Sequence, residues 1–318
     1  MKNPDEREII KTFQKRFDKS GFLDDDVEVL KIGSSKFIVK SDMLVQSTDV
    51  PPGMKVAEIA RKSLVACVSD FACKGIKPVF ATISLAIPRG FTQKMINQLA
   101  DGFASASKEF GLKIVGGDTN QGKELVIEVS MFGANIKNMP SRGGSKIGDI
   151  IVTSGPFGYS SSGLKIIMNK YKANPQFLKK CMGKVMRPTA RLQFGLQAAK
   201  YFSSSMDSSD GLSITLNDMS EQSKKRFVIF GFPTGNDVVQ FSAKNKIDLK
   251  DLVFCGGEEY EIVFSVSPQH LHQVRKMARK FQVPLFEIGY VARGKDVVLM
   301  EKFKPKRIKR CGWIHLRS

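Results

Sequence analysis

Histidine is scarce in this chain: His270, His272 and His315 are the only three in 318 residues. That scarcity argues against a transition-metal site built on imidazole, so any metal here calls for oxygen ligands, which suits magnesium. Cysteine is also sparse. Cys67, Cys73, Cys181, Cys255 and Cys311 are an odd number and include no Cys-x-x-Cys pair. We therefore expect reduced, mostly buried thiols rather than a disulfide framework or a zinc site. No apolar run is long enough to cross a bilayer. The opening stretch MKNPDEREIIKTF is charged and lacks a secretory apolar core, so a soluble cytoplasmic protein is expected. Acidic residues are in deficit, 31 against 50 lysines and arginines, for a net charge of +19. Such a field favours anionic partners without choosing among nucleotides, RNA and acidic membranes.

What is present is a chain long enough for two domains and a substantial core, with 42% hydrophobic residues. Its centrepiece is VACVSDFACKGIKP, residues 65–78. Ala60, Leu64, Cys67, Val68 and Phe71 recur as in an amphipathic helix over residues 57–74, which Gly75 stops and Pro78 forbids to continue. Asp70 lies near the end of that helix. It is either a surface residue that misses the apolar stripe or a buried carboxylate, which must then be paired or coordinated.

Around this helix the pattern alternates between strands and helices. Residues 1–20 read as a charged helix followed by a turn at Gly21. LDDDVEVL and KFIVKSDMLV read as strands, the second carrying Ser41 and Asp42. PVFATISLAIP is a half-buried strand. Thr92 caps a helix that runs to Phe110 and ends at Gly111, with Met95, Leu99, Phe103, Ala106 and Phe110 inward. KIVGG, leading to Asp118, and ELVIEVSMFGA complete a strand-rich first half with two helices on one face. The turn-rich, basic stretch NMPSRGGSKIG marks a boundary, giving units 1–138 and 139–318. Beyond it we read strand DIIVTSG, a glycine/serine turn into a helix, a linker around Asn174 and a helix after Pro188. A strand ending at Met206 precedes a helix with Leu212, Leu216 and Met219 inside. Strands RFVIFGF, CGGEEYEIVFSV and LFEIGYV and a helix from Pro268 to Phe281 follow. The fold class is α+β, with no strong internal repeat.

Aspartates recur at strand ends and glycine turns: Asp26, Asp42, Asp70, Asp118, Asp207 and Asp210. Singly, each has a bland reading. Asp207 and Asp210 could cap the next helix, Gly116-Gly117-Asp118 could be a tight turn, and Asp24 to Asp26 a solvated loop. As a converging set they would repel one another unless cations neutralise them, and magnesium with substrate phosphates is the usual resolution.

Taken in order, DDDVEV, KSDMLV, VSDFACKGIKP, GGDT, RGGSKIGD, GLKII, MDSSDGL, GGEEYEI and GWIHL resemble the successive motifs of thiamine-monophosphate kinases. That family lies within the aminoimidazole ribonucleotide synthetase-like (PurM-like) ATP-using enzymes. The match runs from residue 24 to residue 316. The resemblance implies a two-domain PurM-like fold, pairing of N-terminal halves in a homodimer, and a site for ATP and several Mg2+ between the domains of each subunit. It further implies that Asp26, Ser41, Asp42, Asp70, Asp118, Asp207 and Asp210 hold magnesium. Gly117, Asp118, Arg142 and Ser209 would contact the nucleotide, and Asp49, Glu258 and Trp313 the substrate. No catalytic side chain is implied beyond metal-assisted transfer.

The chain departs from the family pattern at three positions: Asp24 replaces a glycine, Lys40 a serine, and Asp49 the histidine expected on the substrate. Trp313, the single tryptophan, either stacks on a flat substrate ring or packs in the core. The basic run KFKPKRIKR, residues 302–310, reads first as solvated surface; alternatives are gathering of a phosphorylated substrate and nonspecific contact with RNA. No aromatic interleaving supports a stacking platform, so nucleic acid is not the expected partner. Two other functions compete with thiamine-monophosphate phosphorylation: an ATP-dependent reaction on a different small acceptor, and a basic nucleic-acid-binding or regulatory protein without catalysis.

Overall fold

The computed structural model describes residues 4–17, 25–134 and 139–316. Gly21 and Asp24 lie outside them. The first half contains helices α1 (Glu6–Gln14), α2 (Gln46–Asp49), α3 (Val56–Lys74) and α4 (Gln93–Phe110). Its strands are β1 (Glu28–Ile32), β2 (Ser35–Val45), β3 (Pro78–Pro88), β4 (Lys113–Gly122) and β5 (Val126–Ala134). The second half contains α5 (Tyr159–Asn169), α6 (Pro175–Met186), α7 (Leu192–Ala198), α8 (Leu212–Ser223), α9 (Asn236–Asn245), α10 (Leu249–Phe254) and α11 (Pro268–Lys280). Its strands are β6 (Ile150–Thr153), β7 (Ser204–Ser208), β8 (Arg226–Ile229), β9 (Glu261–Val266), β10 (Phe286–Ala292), β11 (Asp296–Glu301) and β12 (Lys304–Arg307).

The strands form two sheets, ordered β1-β2-β5-β3-β4 and β12-β11-β8-β10-β6-β9-β7. Neighbours are antiparallel except β3 with β4 and β8 with β11. On β2, Ile38 and Leu44 are buried toward the core while Phe37 and Met43 on the opposite face are exposed, the period-two pattern of a half-covered sheet. On β9, Ile262, Phe264 and Val266 belong to the core shared with the first sheet, whereas Val263 belongs to a second core with Leu212, Leu216 and Met219 of α8.

Helix α3 departs from the expected amphipathic form. Apart from Ala66, every residue from Ile59 to Lys74 is buried, because β2 and β5, α4, α7, β7 and β9 surround it. A helix covered on all sides must match each charge it carries. Arg61 Nε and Nη2 donate to Glu109 at 2.8 and 2.7 Å, and Nη1 to Pro188 O at 2.6 Å. Lys74 Nζ donates to Ser205 O at 2.7 Å, while Ser205 Oγ returns a bond to Cys73 O at 2.6 Å. The two bonds to Ser205 fasten the helix to β7 of the second sheet. Gly75, at φ 67°, ends it as expected.

Other expectations need correction. The linker around Asn174 is instead the start of α6: the Asn174 side chain accepts from Phe177 N at 2.8 Å, and Pro175 fits the first turn, where no N–H is needed. The strand expected to end at Met206 continues through Asp207 to Ser208. Helices α9 and α10 and strand β11 were unanticipated. Cys255 and Cys311 form a disulfide, contrary to the expectation of free thiols. The chain returning from β12 runs alongside α8, where Cys311 N donates to Ser213 Oγ at 2.7 Å, and this brings Cys311 to the end of α10. Cys67, Cys73 and Cys181 are free and buried. The basic run contains the exposed strand β12, as its solvated reading expects.

Candidate active site

Four segments converge at the C-terminal part of α3: the entry to β1, strand β2, α3 itself and the end of β7. They bring carboxylate oxygens of Asp26, Asp70 and Asp207 within 4.8 Å of one another, all three side chains buried. Asp70 is thus no surface residue. The three differ in how their charge is met.

Asp26 is saturated. Its Oδ1 accepts from Arg142 Nε and Nη2 at 3.0 and 2.6 Å, and Oδ2 lies 2.7 Å from Lys74 Nζ. Burial alone would raise its pKa, but Lys74 and Arg142 outweigh burial and hold the carboxyl well below the usual range. Asp25 shares the same cations, 2.5 Å from Lys74 Nζ and accepting from Arg142 N at 3.2 Å.

Asp70 and Asp207 are not saturated. Burial, reinforced by Asp207, Asp42 and Asp26, pushes the Asp70 carboxyl well up despite Lys40. Burial and Asp26 push Asp207 up to about 7. Lys40 Nζ lies 2.9 Å from Asp70 Oδ2 and 3.5 Å from Asp42 Oδ1. Ser69, beside Asp70, buries its hydroxyl against Asp207, whose charge it helps to hold, without reaching good hydrogen-bonding geometry. A compact set of hard oxygens, short of positive charge and with one polar atom left over, fits a divalent cation of the magnesium type. Asp210, four residues after Met206 and half-buried, is pushed up to about 6 by burial and by Glu6.

The remaining expected site residues divide. Ser41 faces the opposite side of the first sheet, bonded to Glu128 and 3.4 Å from Ser130 Oγ. Asp118 is exposed on the edge strand β4 and contributes to an open groove between β4 and α4. In the sheet register Asp42 pairs with Val129, Val129 with Ile83, and Ile83 with Gly117. Three strand spacings, roughly 14 Å, therefore separate Gly117 from Asp42. Within one chain the aspartates do not all meet in one place, and Ser41 and Asp118 are the exceptions. Gly117 (φ 155°) approaches β3 so closely that a Cβ would sit 1.7 Å from Ile83 O. Arg142 is held on Asp26.

The loops expected at the substrate lie together on the other side of the second sheet's edge. Glu258 N donates to Ser209 O at 2.6 Å, Tyr260 N to Ser208 O at 3.1 Å, and Trp313 N to Asp210 O at 3.0 Å. Glu258 and Tyr260 adopt left-handed backbone (φ 62° and 53°), strain that a tightly paired loop can hold in place. Trp313 is 50% exposed and donates from its indole to His315 Nε2 at 3.3 Å, so the core-packing reading falls. Asp49 turns its carboxylate inward to Val45 N at 2.7 Å. Its backbone carbonyl meets Lys62 Nζ at 2.5 Å, and Lys62 also lies 2.5 Å from Glu258 Oε1. Sequence reasoning missed Lys62 and Lys74. Both are lysines inside a largely small and apolar helix that also carries Arg61 and Asp70, a signal of paired charge that becomes visible once the whole helix is known to be buried.

In its first half this two-sheet α+β architecture is of the AIR synthase-related kind. Residues 24–135 match the family model for AIR synthase related protein, N-terminal domain. The chain is 47% identical over 317 residues, 100% of both chains, to thiamine-monophosphate kinase of Nitrosopumilus maritimus (strain SCM1). It is 31% identical over 316 residues to that of Pyrococcus horikoshii, covering 98% of this chain and 96% of the relative. A solved structure described as AaThiL complexed with AMPPCP and TMP superposes with a TM-score of 0.85 at 24% identity, over 98% of this chain and 97% of that one. With such identity over its whole length, the chain belongs to the thiamine-monophosphate kinase family.

Proposed function

We propose that the chain phosphorylates thiamine monophosphate to thiamine diphosphate with ATP, by direct in-line transfer assisted by Mg2+. The observation that carries this reading is the convergence of Asp26, Asp70 and Asp207 into one buried cluster in which Asp70 and Asp207 are left under-neutralised. A phosphate monoester is already anionic near neutral pH, so the acceptor requires no strong general base, and the obstacle is repulsion between two polyanions. Magnesium bound by the aspartates would supply the charge that lets donor and acceptor phosphates approach.

The chain's own residues then divide the work. Asp26, Asp70, Asp207 and, through Lys40, Asp42 hold the cation end, with Asp210 at its margin. Ser209, Arg142 and, on β4, Gly117 and Asp118 are assigned to the nucleotide, and Ser41 and Asp118 keep only the family's assignment to metal. Glu258 and the half-exposed face of Trp313 are assigned to the substrate, where an indole suits a flat aromatic ring. The turn of the Asp49 carboxylate onto Val45 N lessens the repulsion that a carboxylate at this position would otherwise impose on a phosphate. We further assign residues 1–138 and 139–318 to two domains and place the protein in the cytoplasm. The exposed sheet residues Phe37, Met43 and Phe80 support pairing of first halves in a homodimer.

The test is direct detection of thiamine diphosphate formed from thiamine monophosphate and ATP, with Asp70→Asn and Asp207→Asn as controls. A wild-type chain that binds ATP but forms no diphosphate removes the acceptor assignment. Sedimentation of wild type and Phe80→Arg tests the dimer, which should dissociate in the variant.

A further inference from the structure

Resting on the metal-assisted reading above, we propose that Lys40 is a built-in cation: its ammonium occupies one cation position in the acidic cleft, so this chain binds one divalent ion fewer than it otherwise would. Lys40 projects from the covered face of β2, the face of Ile38 and Leu44, toward α3. Its Nζ lies between two carboxylates of the cleft, 2.9 Å from Asp70 Oδ2 and 3.5 Å from Asp42 Oδ1.

The charges in the cleft show why that matters. Asp25 and Asp26 are matched by Lys74 and Arg142, two against two. Asp42 and Asp70 share Lys40. Asp207, which Lys40 and Arg142 reach only through space, has no ion pair of its own among the described residues, so three carboxylates have one ammonium in contact. The remainder is two negative charges, the complement of a single divalent ion. Without Lys40 the same three carboxylates would carry three, and the Asp42–Asp70 pair would stand open to a second ion. An ammonium is a point charge with three donors and no coordination positions to offer a phosphate. It can neutralise this part of the cleft, but it cannot bridge donor and acceptor. Lys40 therefore balances the Asp42–Asp70 side, and a divalent ion would be left to Asp70 and Asp207, with Asp26 beside them.

The experiment counts bound Mn2+ by electron paramagnetic resonance on the full chain with a non-hydrolysable ATP analogue. Wild type, Lys40→Ser, Lys40→Met and Lys40→Arg are compared, with thermal melting to confirm folding. Lys40→Ser and Lys40→Met should each bind about one more Mn2+ per chain than wild type, because the unmatched carboxylates recruit an ion, and Lys40→Arg should keep the wild-type number. Lys40→Met retains an apolar stem and carries the count should Lys40→Ser fail to fold. Equal counts and affinities in wild type and Lys40→Met, with at least one ion bound, overturn this inference alone. A wild-type chain that binds no Mn2+ with nucleotide overturns the kinase reading and this inference with it.

Discussion

Two clusters of buried charge sit on the two sides of strand β9, and they are built on opposite terms. Glu261, at the start of that strand, is fully buried and fully matched. It accepts from Lys184 at 2.8 Å, Arg191 at 2.6 and 2.7 Å, and Ser154 Oγ at 2.8 Å. Burial would raise its carboxyl, but Lys184 and Arg191 outweigh burial and bring it down to about 2. At Asp70 and Asp207 the same burial wins, because Lys40, the one cation in contact, is shared and the neighbouring carboxylates add to burial. A closed network of this sort serves the fold; an open one leaves charge for a ligand to complete. The difference separates structural from functional acids where residue type and burial do not.

That contrast can be broken at either end. Glu261→Ala should cost about 3–5 kcal/mol in urea unfolding, since it strands Lys184 and Arg191 against a buried strand. Asp70→Asn should do the reverse, leaving stability equal or higher while lowering kcat/KM roughly 10²–10³-fold. A loss of stability in Asp70→Asn without loss of activity would place this cluster with the structural one. A third test uses neighbouring glutamates with opposite pH signatures. Glu259 is buried, accepts from Gly158 N and Ser160 N, and has its other oxygen unpaired; burial pushes it up to about 7 from an ordinary 4.5. The folded chain keeps a proton that the unfolded chain releases, so its contribution to stability declines as pH rises from 4.5 to 7. Glu259→Gln should remove that decline, worth about 3 kcal/mol or less at pH 8. Glu261, low when folded, contributes fully above pH 4.5 and loses that contribution as pH falls toward 2. Melting curves across pH separate the two. Smallest of all, removing Lys304 and Lys306 on exposed β12 should change stability by about 0.5 kcal/mol or less.

Local signals were legible in the chain where local physics decides. Strand β3 was read from Pro78 to Pro88, and α4 from its Thr92 cap to its Gly111 stop, because period, cap and breaker are written within a few residues. Helix α6 was missed although Asn174 and Pro175 carry its start, since both residues also read as linker. The aspartates of the site were visible as a set, yet their grouping was not. Lys74 meets Asp25 and Asp26 across a fold closure that no spacing encodes, and Asp118 falls three strands away for the same reason. The Cys255–Cys311 bond likewise depends on the return of the last segment along α8.

Helix α3 grips the Asp49 and Glu258 segments through Lys62 near one end and carries Asp70 toward the other. Eight residues of unbroken helix span roughly 12 Å, and helices barely stretch. On the proposed assignment of Asp49 and Glu258 to the acceptor, this rigid ruler would set the interval between acceptor and cation cleft, and a bulkier acceptor could not be accommodated by moving the two ends apart.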